Sequence, residues 1–295
     1  PRVAGIAVHQ ARLPTGGPEK ALVSLSDPIG PREAWQGLIS EYLQACRHDL
    51  RTPVFYKATR LSGEGLRAAG LAAHQIGEEA ILDPSQFSLD GPERRGLRRK
   101  IRQAEKAGVE VRIHAAGSAP MDDLRAVNAA WLDSKGGAEK GFSLGRFEPD
   151  YLARFITLEA RQEGRTLAFV SLWQSGEGAE WSVDLMQSLP ESPCGTMHKL
   201  IVEAVAVARE AGAQRFSLCA VQFSLGRPPA TLVERLVHLV WQRKAEGLGL
   251  AGLRRFKDMF APSWEPVYLA APKAGLPLTA LLSVNRLVNT PERKR

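Results

Sequence analysis

The spacing of apolar residues divides the chain into alternating strands and amphipathic helices. In "REAWQGLISEYLQACRHD", Trp35, Leu38, Ile39, Tyr42, Leu43 and Cys46 recur at three- and four-residue steps, the stripe of a helix covering a core. Ahead of it, "KALVSLSDPIGP" reads as a strand closed by Asp-Pro and Gly-Pro turns; behind it, "TPVFYKAT" reads as a buried strand. A short helix, "GEGLRAAGL", and a strand, "AHQIGEEAILD", complete the unit. An apolar run from Val3 to Val8 and a turn at "LPTGG" precede it.

The same order resumes after residue 108. "VEVRIHA" is a strand, "MDDLRAVNAAWLDSK" a helix, and "EPDYLARFITLEARQEG" is expected as a second helix. "TLAFVSLWQ" and "EWSVDLMQS" suit adjacent antiparallel strands joined by "SGEGA". "GTMHKLIVEAVAVAREAG" is an apolar helix with Gly212 as its stop, "AQRFSLCAVQF" a strand, and "TLVERLVHLVWQRKAEG" a last amphipathic helix. The pattern predicts an α/β (α+β) fold with a first lobe over 1–90, a linking helix over 91–108, a second lobe over 109–272, and a mobile tail over 273–295. No sequence repeat relates the lobes.

Composition adds little to this picture. With 295 residues, 44% hydrophobic and 24% charged, the chain belongs with ordinary globular proteins. Three widely spaced cysteines, Cys46, Cys194 and Cys219, argue against a disulfide framework or a zinc site and fit a reducing compartment. No apolar run approaches the ~18 residues of a membrane span. The chain starts at Pro1 rather than Met, so an upstream membrane segment stays open.

Charge changes the picture more. The net charge is +7, and it is concentrated in "GPERRGLRRKIRQAEKAG", where Lys/Arg at 94, 95, 98, 99, 100, 102 and 106 face only Glu93 and Glu105. Leu97, Ile101 and Ala104 make one narrow apolar stripe; Arg94, Arg98, Arg102 and Lys106 make a second stripe at four-residue steps, with Arg95 and Arg99 beside it. A solvated salt-bridge helix would interleave signs more evenly. Several cations in register suit a phosphate backbone. The apolar stripe is too narrow for deep insertion into a membrane.

Several stretches then point to one family. "SDPIGP", "PVFYKAT", "IGEEAILD", "FSLDGPERRGLRRKIRQAEKAGVEV", "AWLDSKGGAEKGFSLGRF", "SVDLMQ", "GTMHKLI" and "GLRRFKDMFAPSWEPVYLA" follow one another in order over about 18–272. The chain resembles the soluble catalytic domain of bacterial phosphatidylglycerol aminoacyltransferases, the lysyl- or alanyl-phosphatidylglycerol synthases also called multiple peptide resistance factor. That resemblance implies tandem acetyltransferase-like (GNAT) domains joined by the basic helix. It also implies transfer of a lysyl or alanyl group from aminoacyl-tRNA to a glycerol hydroxyl of phosphatidylglycerol, at the cytoplasmic face of the bacterial inner membrane. By the same resemblance, Arg94, Arg95, Arg98, Arg99, Arg102 and Lys106 hold tRNA, and an N-terminal membrane domain lies outside this chain. No glycine-rich pyrophosphate loop is present, so no cofactor is expected, and no metal either.

Such a transesterification needs an oriented hydroxyl, a group to take its proton and donors for the oxyanion. Asp184 of "SVDLMQ" is the first candidate, opposite the alternating Trp181, Val183 and Leu185. By pattern it is an ordinary strand carboxylate; the resemblance makes it a holder of the aminoacyl ammonium or an acceptor of the hydroxyl proton. Gln187, Arg255 and Lys257 join it as catalytic candidates, with Arg254 in the same "GLRRFK" cluster as a contact for lipid phosphate or the tRNA end. Trp131, Lys135, Glu139 and Lys140 suit a substrate entrance, and Glu78 and Glu79 suit a cationic amino group, or else are surface charges. His198 reads as a helix-terminus group more than as a base.

The chain departs from the family pattern at Gln187, where Arg is usual, and at His198, where Asp is usual. Leu218 to Gly226 reads "LCAVQFSLG" in place of "LGMAPLSG", and Ala251 replaces a polar residue. These departures leave open a different acceptor, hydrolysis of the aminoacyl lipid, or a non-catalytic module that binds tRNA or anionic membrane.

Overall fold

From the N-terminus run β1 (Val8–Arg12), β2 (Lys20–Leu25), α1 (Trp35–His48), β3 (Arg51–Ala58), α2 (Arg60–Ala68) and β4 (Leu71–Leu82). The basic segment forms α3 (Arg95–Lys106), followed by β5 (Glu110–His114), α4 (Met121–Ser134), the single turn α5 (Pro149–Leu152), β6 (Ile156–Gln162), β7 (Arg165–Gln174) and β8 (Glu180–Ser188). Next come α6 (Thr196–Glu210), β9 (Arg215–Gln222), α7 (Leu232–Lys244), α8 (Leu250–Asp258), β10 (Ser263–Pro272) and α9 (Pro277–Asn289). This computed structural model describes residues 8–12, 20–136, 142–143, 145–175, 178–247, 249–273 and 277–289.

The strands form one mixed sheet in the order β1-β2-β3-β10-β4-β9-β8-β7-β6-β5. Among the described residues only β2/β3 and β8/β9 pair in parallel. Parallel neighbours need a crossover, and α1 and α6 supply the two. The chain therefore builds a β-α-β unit twice within one sheet. Residues 263–272, grouped by sequence with 109–272, form β10 between β3 and β4.

Alternation along β3 sends its side chains to two cores. Phe55 packs with Ile39, Tyr42, Leu43 and Cys46 of α1 and Leu66 of α2. Val54 and Tyr56 pack instead with Ala280, Val284 and Val288 of α9. Residues 277–289 of the expected mobile tail are thus a helix, because its apolar side closes that core. The largest cluster unites β6–β9 with Leu97, Ile101 and Ala104 of α3, the apolar stripe expected there.

The expected helix over "EPDYLARFITLEARQEG" is a correction: only Pro149–Leu152 is helical, and Ile156–Gln162 is strand β6. Glu159 resembles a solvent-facing helix charge but is fully buried, held by His114 Nε2 at 2.8 Å and by Arg161 Nη1 at 2.9 Å. Glu163 and Gly164, with φ of 49° and 82°, make the tight hairpin turn to β7. The turn expected at 13–17 lies outside the described residues.

Candidate active site

β8 and β9 stay paired over only three residues, Glu180–Ser182 against Arg215–Ser217, and then separate. Two irregularities flank the opening. On β8 the ladder with β7 slips between Val170 and Leu172, so that the Ser171 hydroxyl takes the Leu185 N–H at 3.0 Å and donates to Asp184 Oδ2 at 3.3 Å. On β9, Cys219 takes φ 66° beside a shift in the ladder with β4 between Glu79 and Ile81. Bulges of this kind re-aim side chains, and here they face a cavity of about 450 Å³.

Asp184 lies in its wall together with Lys57, Glu79, Tyr151, Trp173 and Cys219. Tyr151 donates its hydroxyl to Asp184 Oδ2 at 3.1 Å and accepts Trp173 Nε1 at 2.9 Å. The N–H of Gly145 also reaches the carboxylate, and a Cβ at 145 would collide with it. Burial raises the Asp184 pKa above the ordinary carboxylate value, and these three hydrogen bonds hold it back. A partly desolvated carboxylate in a cavity is poised to take a proton.

The same cavity is lined by charged groups of both signs. Lys57, at φ 61°, donates to the Ser143 carbonyl at 3.3 Å, and burial holds its ammonium below the usual range. Glu79 accepts the Ser217 hydroxyl at 2.5 Å. Behind the wall Lys257, 3% exposed, donates to the carbonyls of Cys219 at 2.9 Å and Ala220 at 3.4 Å. Burial pushes its pKa down to about 8.

The other expected site residues are dispersed. Gln187 is buried away from this cavity, its Oε1 without a partner among the described residues, and Arg255 is exposed on α8. Glu78 is not a free carboxylate: Arg254 Nη1 sits 2.6 Å from it, while the Arg254 guanidinium stacks 3.5 Å over Trp264. Trp131 and Lys135 line a second cavity of about 480 Å³ with Gly195, Thr196 and His198 at the start of α6. His198 lies nearly parallel to Phe260 with Phe256 tilted against its ring, and burial lowers its pKa to about 4, so it is neutral at physiological pH. Glu139 and Lys140 lie outside the described residues.

The basic helix also divides. Arg94 stacks on Phe87, and Arg98 donates to the carbonyls of Leu89 and Gly91. Both pin the loop before α3. Arg95, Arg99, Arg102 and Lys106 form the exposed stripe, with no ion pair among the described residues. α3 packs on α6, where Gly195, at φ 96°, lies against the Lys100 backbone so closely that no side chain fits.

Missed by sequence were Tyr151 and Ser171, which hold Asp184, Trp173, which holds Tyr151, and Lys57. A lone lysine within the apolar "PVFYKAT" was the available signal for the last.

Fold and cavity define a mixed α/β protein that presents a half-buried carboxylate where two parallel strands part. The family model described as "Phosphatidylglycerol lysyltransferase, C-terminal" matches residues 15–271, and the chain belongs to that family. It is 32% identical over 255 residues to the lysylphosphatidylglycerol biosynthesis bifunctional protein LysX of Mycolicibacterium vanbaalenii, covering 82% of this chain and 23% of the relative. It is 30% identical over 281 residues to the phosphatidylglycerol lysyltransferase of Bacillus subtilis, covering 91% of this chain and 32% of the relative. The chain thus spans a quarter to a third of these relatives' length. Among solved structures, the C-terminal domain of a putative lysylphosphatidylglycerol synthetase from Agrobacterium fabrum superposes with a TM-score of 0.82 at 28% identity, covering 97% of this chain and 86% of that one. L-PGS from Bacillus licheniformis gives 0.79 at 28%, covering 97% and 87%.

Proposed function

We propose that the chain transfers an aminoacyl group, lysyl in the first instance, from aminoacyl-tRNA to a glycerol hydroxyl of phosphatidylglycerol. The observation carrying this reading is Asp184, held by three donors in a cavity at the parting of β8 and β9. The hydroxyl oxygen attacks the ester carbonyl while Asp184 takes the hydroxyl proton. The bond to the ribose oxygen then breaks, and that proton goes to the departing ribose. Glu79 and the ionised Asp184 supply negative charge for the ammonium groups of a lysyl donor. Alanyl transfer uses the same chemistry with one ammonium fewer.

The two β-α-β units support the reading of tandem acetyltransferase-like lobes bridged by the basic helix, with β10 from the end of 109–272 lying among the strands of the first lobe. The exposed row Arg95, Arg99, Arg102 and Lys106 suits a tRNA acceptor stem. The acceptor lipid places the reaction at a membrane surface, the cytoplasmic leaflet being where charged tRNA is found. No helix among the described residues is long and apolar enough to cross a membrane.

Purified chain mixed with lysyl-tRNA and phosphatidylglycerol vesicles is expected to yield an RNase-sensitive aminoacylated lipid. Absence of product with lysyl-, alanyl- and other charged tRNAs rejects the proposal. One observation favours the second reading, a non-catalytic binding module: the buried Oε1 of Gln187, without a partner among the described residues, stands where the resemblance leads one to expect Arg. Product formation in the same assay excludes it.

For the RNA face, Arg99→Gln with Arg102→Gln is expected to flatten the salt dependence of tRNA binding by roughly 1 for each phosphate no longer neutralised. Titrating tRNA at several salt concentrations reads the slope. An unchanged slope removes α3 from the RNA interface.

A further inference from the structure

Helix α7 is turned inside out relative to an ordinary surface helix. Its one acid, Glu234, is 3% exposed, takes the Arg227 guanidinium at 2.8 and 3.0 Å, and accepts the Ala230 N–H at 2.7 Å. Val237, fully buried, lies on the same inward side. Outward stand Leu232, Leu236, Leu239 and Val240, with exposures of 76%, 41%, 38% and 37%. Their spacing, i, i+4, i+7 and i+8, puts them on one face.

A single exposed leucine needs no explanation, whereas these four side chains share one continuous face of the helix. Two cations border the stripe: Arg235 and Arg243 are exposed and make no ion pair among the described residues. No other acid occurs between Gly226 and Lys244, so the exposed surface of this segment is apolar and positive.

We infer that α7 seats the chain in the surface of an anionic bilayer, with the leucines in the acyl boundary and the arginines among the headgroups. The inference rests on the lipid-acceptor reading above for its purpose, though not for its geometry. A helix of this length offers about 20 by 10 Å of face, well under the ~800 Å² per partner that a stable dimer buries. An interfacial helix, by contrast, is defined by this combination of apolar stripe and cationic border. Behind α7 a cleft of about 540 Å³, lined by Leu225, Arg227, His238 and Trp241, opens against Ser224. Ser224 follows closely on β9, whose Cys219 and Ala220 wall the Asp184 cavity. A lipid drawn from beneath α7 would meet an arginine and an aromatic ring on the way to that strand.

The test is flotation of the whole chain with vesicles of phosphatidylglycerol and phosphatidylcholine, set against pure phosphatidylcholine. Wild type is expected to float with the anionic vesicles. Leu236→Glu with Leu239→Glu, both at exposed positions, should weaken that binding by about thirtyfold or more while leaving tRNA binding intact. Arg235→Gln with Arg243→Gln should weaken it by about fivefold per charge, since a basic residue at an anionic surface contributes on that order. In parallel, transfer to vesicle lipid should fall in the leucine variant, and transfer to a soluble short-chain phosphatidylglycerol should not. Wild type that stays off the vesicles overturns the inference, as does either variant binding like wild type. So does a wild-type dimer that the leucine variant dissociates, which would make a second copy the occupant. If wild type makes no product on either acceptor while the leucine variant loses vesicle binding, the transferase reading falls and the membrane seat stands.

Discussion

Asp184→Asn is expected to lower aminoacyl transfer by about 10²- to 10⁴-fold, the range for loss of a positioned general base, with tRNA binding unchanged. The amide keeps the shape of the carboxylate and one oxygen for the Tyr151 and Ser171 hydroxyls, which share Oδ2, so the bulge on β8 keeps the Ser171 contact that shapes it. Stability should move the other way. The folded chain binds the Asp184 proton more tightly than the unfolded chain does, because burial raises this pKa. Stability therefore falls as pH rises from the ordinary carboxylate pKa through the raised one, and at neutral pH the ionised group is a net cost to folding. Asparagine removes that cost. Activity lost with stability kept or gained marks a carboxylate retained for chemistry. In wild type the acid limb of kcat/KM should lie above the range of an unperturbed aspartate. Single-turnover transfer and thermal melts across pH measure both; an Asn variant that transfers at the wild-type rate removes Asp184 from the reaction.

The site could be traced only partly from sequence, for reasons that belong to particular residues. Asp184 was legible because Trp181, Val183 and Leu185 alternate around it and "SVDLMQ" sits in an ordered motif set. The bulge that aims it was not, since a bulge is a property of two strands and needs Ser171 of the partner in register. Tyr151 was lost with its segment: Tyr151, Leu152, Phe155 and Leu158 keep helical spacing, and only the burial of Glu159 beside His114 reveals a strand.

The basic helix teaches the reverse lesson. Leu97, Ile101 and Ala104 fix the buried face, and a helical projection from them puts Arg95, Arg99, Arg102 and Lys106 on the far side. That information was in the sequence. Following the four-residue steps from Arg94 instead selected Arg94 and Arg98, whose guanidinium groups turn back onto Phe87 and the carbonyls of Leu89 and Gly91.

Lys257→Met is expected to leave the fold standing and to slow transfer by about 10- to 100-fold, the scale of misplacing a reactive group by about an ångström. Two effects on stability oppose each other. The ammonium has its pKa pushed from 10.5 to about 8 by burial, a cost of about 3 kcal/mol for the charged form at neutral pH. Against it stand the bonds to the Cys219 and Ala220 carbonyls, and a hydrogen bond from a charged donor contributes about 1.5–3 kcal/mol. The two nearly cancel, so methionine, of similar length, should shift stability by no more than about 2 kcal/mol. What it cannot do is hold the carbonyls where β9 leaves β8, and the cavity wall at Cys219 and Ala220 loses its brace. A pH signature separates this role from mere packing. Between about 8 and 10.5 the unfolded chain binds more protons at this lysine than the folded chain does, so wild-type stability gains with rising pH in that window. The methionine variant should lack that gain. Denaturant titrations at pH 7, 8, 9 and 10, alongside transfer rates at pH 7, read both effects; a variant that keeps the wild-type rate, or the wild-type pH slope, shows that Lys257 does not brace the opening.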